Sequence, residues 1–212
     1  MHLVMFDIDG TLVDTSGFED DCFVRAIQSE YSTDIDTDWS TFKHVSDSGI
    51  VNELTKNISD AEERRFIFDR IQFRFVEFVR ERLASIAAPE IAGAAEFIEH
   101  LKKNGDVVLA LATGGWRASA ELKLVSACID FSGIAFASSD DHFDRSEIMR
   151  AAQYRTGRER FETRTYIGDG VWDKAASKAL GFNFILVGNK TSNHQQIDNY
   201  YDKAGVEAYI GL

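Results

Sequence analysis

Two aspartates, Asp7 and Asp9, stand where an apolar run, Leu3-Val4-Met5-Phe6, stops, and Gly10-Thr11 follows them. The pattern reads as a buried strand that delivers charged groups at its carboxyl end. Two carboxylates this close raise each other's pKa unless a cation or hydrogen-bond donors offset the repulsion. The chemistry that fits is a metal site, a nucleophile, or both. Two more strand-like runs end in polar groups. Leu111-Ala112-Thr113-Gly114-Gly115-Trp116 offers a hydroxyl and unobstructed backbone N–H groups, which suit phosphate oxygens. Tyr166-Ile167-Gly168-Asp169-Gly170-Val171-Trp172-Asp173 offers an acid at the strand end and a second acid four residues on. Hard carboxylate oxygens of this kind are what Mg²⁺ prefers.

The elements that must position these groups are short apolar runs separated by helical ones. Val107–Ala112, Ile134–Ala137, Thr165–Ile167 and Phe184–Val187 are rich in branched or aromatic residues and bounded by Gly, Asp or Ser, as strands are. Between them, 94–103, 119–127, 147–154 and 173–180 carry apolar residues at helical spacing. The alternation predicts a mainly parallel sheet covered on both faces, with ligands at the carboxyl ends of its strands. The segment 16–88 breaks the alternation. It shows one helical stripe through Phe23, Ile27 and Tyr31, and a longer one through Phe66, Ile71, Phe75, Val79 and Leu83. Arginines are interleaved with acids along the second stripe, as on a solvated helix face. The expectation is therefore an α/β core, doubly wound and Rossmann-like, from 1–15 and 89–212, with an inserted α-helical cap over 16–88.

These motifs and their order resemble the haloacid dehalogenase superfamily. Asp7-Ile8-Asp9-Gly10-Thr11 matches its first motif, Asp-x-Asp-x-Thr; Thr113 matches its phosphoryl-binding Ser or Thr; and Gly168-Asp169 through Asp173 matches its Gly-Asp-x-x-x-Asp. The likeness runs from Met1 to about Gly188, and the family's helical cap is inserted at the place where 16–88 lies. The resemblance implies Asp7 as nucleophile and Asp9 as general acid and base. It implies Thr113 and the Gly114 backbone on the phosphoryl group, and Mg²⁺ at Asp7, Asp9, Asp169 and Asp173. The family's usual lysine before the last motif is missing here. Arg145, at the start of a helix, occupies its slot, while Lys123, Lys174 and Lys190 are not placed for it. In the cap, Lys43–Ile50 reads as a polar loop over the site, with His44, Ser46 and Asp47 toward the leaving group.

The function so implied is a Mg²⁺-dependent phosphatase for a small phosphorylated metabolite, a phosphomonoester, with phosphoglycolate and sugar phosphates as family-level candidates. The alternatives are a phosphotransferase of the β-phosphoglucomutase type and a non-catalytic phosphate-binding module. A net charge of -12 argues against nucleic acid, and requires local cations to offset repulsion of a phosphate ester. No apolar run spans a membrane, and no secretory signal is visible at the start. Cys22 and Cys128 are too few and too far apart for a disulfide framework, which fits a reducing cytoplasm. The tail after Asn189 is expected to pack on the core as a helix and strand.

Overall fold

The structure, a computed structural model, describes residues 1–33 and 35–212. Asp34, inside the expected cap, lies outside the described residues. A six-stranded sheet, wholly parallel, forms the centre, in the order β3-β2-β1-β4-β5-β6. Its strands are β1 (His2–Phe6), β2 (Val107–Ala112), β3 (Ala135–Ala137), β4 (Arg164–Gly168), β5 (Asn183–Val187) and β6 (Gln196–Ile197). The four later runs singled out by composition are thus β2 to β5. The tail adds β6 and a final helix, as expected.

β1 alternates between two cores. Val4 and Phe6 join the cluster that includes Phe97, Leu111 and Ile167, and Leu3 and Met5 join the one that includes Ile148, Met149 and Tyr166. Both faces are covered, so the strand reads as a continuous apolar run. The register then places the chemistry. Phe6 pairs with Leu111 on one side and with Ile167 on the other. The residues just past these pairs, Asp7, Thr113 and Asp169, therefore emerge together at one rim of the sheet.

Among the described residues, three of the α-helices between β1 and β2 fall within 16–88: α1 (Glu19–Glu30), α2 (Asp47–Leu54) and α3 (Ala61–Ser85). Asp60 caps α3 by accepting from Glu62 N and Glu63 N, and Glu62 and Glu63 place negative charge at its first turn. The expected polar loop over 43–50 is only half a loop. Ser46 is an N-cap, accepting from Gly49 N, and α2 begins at Asp47. The other helices, α4 (Ala94–Lys102), α5 (Arg117–Ser126), α6 (Arg145–Arg155), α7 (Val171–Leu180) and α8 (Lys203–Ile210), flank the sheet or close the chain. Among the described residues no helix is long and apolar enough to cross a membrane.

Trp116 joins the helical insertion to the sheet. It follows β2 and is fully buried, with its ring 5.8 Å from Phe23, 5.8 Å from Phe68 and 5.7 Å from Phe75. Its indole N–H donates to Ser48 Oγ at 2.9 Å, which satisfies its one polar group. Phe75 lies 5.3 Å from Phe23 and is itself fully buried. Phe75→Ala should therefore destabilise the protein by about 3–5 kcal/mol, the usual cost of emptying a buried aromatic site. Urea unfolding followed by circular dichroism measures this. A loss under about 1 kcal/mol would show that the site collapses around the void and that the aromatic cluster does not hold insertion and sheet together.

Candidate active site

Asp7 leaves β1 with its N–H donating to Ile167 O at 2.9 Å, so its backbone is still part of the sheet. Asp7 is 3% exposed, as is Asp169; Asp173 is fully buried. One carboxylate oxygen from each of these three lies within 4.8 Å of the others. Such a cluster is held against its own repulsion by nearby cations and donors. Arg145, in the first turn of α6, donates Nη1–H to Asp7 Oδ1 at 3.1 Å and holds Nε 3.5 Å from Asp173 Oδ1. Asp144 caps that helix by accepting from Ser146 N, which fixes where Arg145 starts. Asp173 also accepts from Gly170 N at 3.0 Å and from Tyr166 OH at 3.4 Å.

Two glycines are required for this approach. A Cβ on Gly114 would lie 2.5 Å from Arg145 Nη2, so any side chain there would evict the guanidinium. Gly10 has φ +73, and a Cβ on it would lie 2.0 Å from Asp169 Oδ2. Thr113, 1% exposed, accepts from Gly115 N at 3.1 Å and is held beside the cluster.

Two lysines that the motif spacing passes over are brought into the site. Lys190, after β5, places Nζ 2.5 Å from Asp169 Oδ2. Lys123, in α5, is fully buried, with Nζ 2.6 Å from Asp9 Oδ1 and 2.5 Å from Glu19 Oε1. The signal for Lys123 was its position: it shares the buried stripe of α5 with Ala120 and Leu124. Lys174 and Arg117 are engaged elsewhere, with Ser192 O and with Glu121.

Asp9, expected at the metal with Asp7, Asp169 and Asp173, has its side chain turned to Lys123, outside the buried carboxylate triad. Asp47 lines the cavity, but Oδ2 accepts from Trp116 N at 2.8 Å, so the carboxylate also stitches α2 to the sheet. His44 is not brought to the site. Its Nδ1 lies 3.3 Å from Asp144 Oδ2 and its ring packs edge-on to Phe143, facing a neighbouring cavity. Ser46 lines the main cavity, and its hydroxyl donates to Phe143 O.

The site opens into a cavity of about 570 Å³ between sheet rim and helical insertion. Asp7, Asp9, Thr113, Gly114, Arg145, Asp169 and Lys190 line its floor, and Glu19, Asp20, Phe23, Trp39, Ser46, Asp47 and Ile50 line the opposite wall. Burial pushes Asp7 well above the ordinary carboxylate range, Arg145 pulls against it, and Asp173, Asp169 and Asp9 add to the rise. Burial, with the charge of Asp173, raises Asp169 to about 6 against the pull of Lys190. Burial, with the charge of Asp9, likewise raises Glu19 to about 8, and burial raises Asp47 to about 7. Burial works against the charge on Lys123, yet Asp9 and Glu19 outweigh it and keep its pKa above the usual lysine value.

Hard oxygen donors, buried and with raised affinity for positive charge, fit a divalent cation such as Mg²⁺. The same groups set a pH dependence. A carboxylate whose pKa is higher in the folded state than in the unfolded one holds an extra proton when folded. Its contribution is fully present below the ordinary carboxylate range and is lost as pH rises through the folded value. For Asp169, Asp47 and Glu19 that window runs from the ordinary carboxylate range up to about 6, 7 and 8. The melting temperature of the metal-free protein should fall as pH rises from about 5 to 8, and Mg²⁺ should restore more of it at pH 8 than at pH 5. A melting temperature that climbs steadily across this range, with or without Mg²⁺, would contradict the charge arrangement.

The family model described as "Haloacid dehalogenase-like hydrolase" matches residues 4–187. A search of curated protein sequences gives no match. Among solved structures, this fold is similar to that of CbbY from Rhodobacter sphaeroides, solved in complex with phosphate, with a TM-score of 0.74, 18% identity and the whole of both chains covered. It is similar to β-phosphoglucomutase from Clostridium difficile, with a TM-score of 0.76 and 16% identity over 100% of this chain and 97% of that one. A putative phosphoglycolate phosphatase from Lactobacillus plantarum gives 0.65 and 16% over 96% and 97%. With its three matched motifs at one sheet rim and the family model matched over residues 4–187, this chain belongs to the haloacid dehalogenase-like hydrolases.

Proposed function

We propose that this protein is a Mg²⁺-dependent phosphatase that hydrolyses a small phosphomonoester through a phosphoryl group carried on Asp7. The observation that carries the reading is the buried Asp7 carboxylate, paired with Arg145 and grouped with Asp169 and Asp173 at the floor of a cavity. In this reading 16–88 is the cap that closes over the substrate, and the free thiols of Cys22 and Cys128 agree with a cytoplasmic setting.

Asp7 attacks phosphorus in line, and the bond from phosphorus to the leaving oxygen breaks. Asp9 gives that oxygen its proton. Asp9 then takes a proton from a water that attacks the same phosphorus, the bond to Asp7 breaks, and inorganic phosphate is released. Thr113 Oγ1, the Gly114 backbone and the Arg145 guanidinium are the donors for the transferred oxygens. Asp7, Asp169 and Asp173 are the residues that would hold Mg²⁺, which when bound would supply positive charge to the phosphoryl oxygens and favour the ionised form of Asp7. Arg145 serves in place of a lysine because its fork reaches Asp7 and Asp173 at once.

The far wall of the cavity bears on the leaving group. Among the described residues, no lysine, arginine or histidine from 16–88 lines it, whereas Glu19, Asp20 and Asp47 do, with Phe23 and Trp39. With no cation among the described residues of this wall to meet a second negative charge, it favours a leaving group without one, such as a sugar or polyol, with ring or carbon faces against the aromatic side chains. Phosphoglycolate, whose leaving group carries a carboxylate, fits it less well.

Asp7→Asn should lower phosphate release by several orders of magnitude with the fold intact, since an amide does not attack phosphorus. Arg145→Ala should lower kcat about a hundredfold, by loss of roughly 2–4 kcal/mol of charge stabilisation, and Arg145→Lys should keep a substantial part of the activity. Phosphate release from an aryl phosphate, with Mg²⁺ and after chelation, measures all three. Near-wild-type release by Asp7→Asn, or full activity after exhaustive chelation, would refute the mechanism. Conversion of a sugar phosphate to its isomer without phosphate release would assign the same residues to a phosphotransferase.

The wall also makes its own prediction. For a matched pair, kcat/KM for a sugar monophosphate should exceed that for the corresponding bisphosphate by about tenfold or more, an energy of at least ~1.4 kcal/mol. A preference for the bisphosphate would show that the acidic wall does not select the leaving group.

A further inference from the structure

Lys123 has no task in the reaction as written, yet it is fully buried between two carboxylates. Burying an amine at the end of a long side chain is costly unless its charge is met on several sides. Here the partners come from different parts of the chain. Asp9 follows β1 in the sheet core. Glu19 lies in the first turn of α1, where the chain has just left the core for the helical insertion. Glu19 Oε2 in turn accepts from Thr15 Oγ1 at 2.9 Å. Among the described residues Asp9 Oδ1 has no hydrogen-bond partner, and its ion pair is with Lys123. The second oxygen of Asp9 is on the cavity side, where a Cβ on Gly115 would meet it at 3.3 Å, and Asp9 lines that cavity.

One oxygen of Asp9 is therefore pinned by a buried ammonium, and the other is presented to the cavity. We infer that Lys123 is the positioning residue for Asp9, and that Glu19 makes this positioning depend on α1 being seated against the core. Asp9 is then aimed at the leaving oxygen when the first helix of the insertion is docked, and released when that helix lifts and takes Glu19 with it. The inference rests on the acid and base role of Asp9 proposed above. The chain Thr15, Glu19, Lys123, Asp9 is the link between the hinge of the insertion and the proton that the leaving group needs.

The test uses the full protein and a series of aryl phosphates whose leaving groups run from weakly basic, p-nitrophenyl, to more basic, phenyl. kcat/KM reports the steps up to departure of the leaving group, and the basic leaving group needs the proton of Asp9 more. A side chain that only held the fold together would lower every substrate alike. Lys123→Gln and Lys123→Met should lower kcat/KM for phenyl phosphate about tenfold more than for p-nitrophenyl phosphate, since a misaimed acid loses part of its contribution. Glu19→Gln should tilt the series in the same direction by less, and Lys123→Arg should restore part of the wild-type slope. Equal losses across the series in a folded Lys123→Gln protein would overturn the inference. If the wild-type protein releases phosphate from no ester, the proposed function fails by itself. The positioning claim is then decided by a crystal structure of Lys123→Gln. Asp9 should have left its place beside α5, and an unmoved Asp9 carboxylate would overturn the claim.

Discussion

The structure turns on like charges gathered where water is scarce. Asp7, Asp169 and Asp173 bring three carboxylate oxygens within 4.8 Å of one another, all nearly or wholly buried. Nothing in the hydrophobic core favours that arrangement, and each burial raises the cost of the others. Cations therefore arrive from separate elements. Arg145 comes from the first turn of α6 to Asp7 and Asp173, and Lys190 from beyond β5 to Asp169. The parallel sheet makes this possible, because it points the carboxyl ends of β1, β2 and β4 at a single rim. Asp7 and Asp169 remain raised above the ordinary carboxylate range even so, and a divalent cation bound there would add to the same compensation.

The second set of charges has a different purpose. Asp9, Glu19 and Lys123 do not join the buried triad; they link the sheet rim to the first helix of the insertion. Trp116 and the start of α2, from its N-cap Ser46 to Ser48, make a parallel set of links between the sheet and α2 and α3. Asp47 N donates to Gly114 O, Asp47 Oδ2 accepts from Trp116 N, and Ser48 Oγ donates to Ser139 O. The aromatic cluster holds the insertion in place by burial, and these polar contacts fix its register over the site. The cavity is what remains between them, with Asp7, Thr113, Arg145, Asp169 and Lys190 on its floor and acids and aromatic rings on its wall.

Much of this was legible in the chain because the motif residues are continuous with the strands that carry them. Asp7, Thr113 and Asp169 each follow an apolar run, so reading the run as a strand places the residue at its end. Arg145 was legible through the resemblance alone, as the residue in the slot of the family's lysine, and the structure adds that Asp144 caps its helix. Lys123 and Lys190 were not, because their partners are distant in sequence and only tertiary packing joins them. A lysine on the apolar stripe of α5 was the available sign, and motif spacing gave it no weight. His44 shows the converse. A polar residue in a stretch near the site looked like a ligand contact, but it faces Asp144 and Phe143 instead. Gly49 made the surrounding stretch read as a loop, although Ser46 was in place to cap a helix.

The central claim is that Asp7 carries the phosphoryl group between substrate and water. It is tested most directly by quenching the protein in acid during turnover of an aryl phosphate with Mg²⁺, digesting it, and weighing the peptides. The account predicts that the peptide containing Asp7 gains the mass of one phosphoryl group, that fragmentation places it on the Asp7 carboxylate, and that it disappears once substrate is exhausted. Turnover with no phosphoryl group on Asp7 at any quench time, or with the group on another residue, would contradict it.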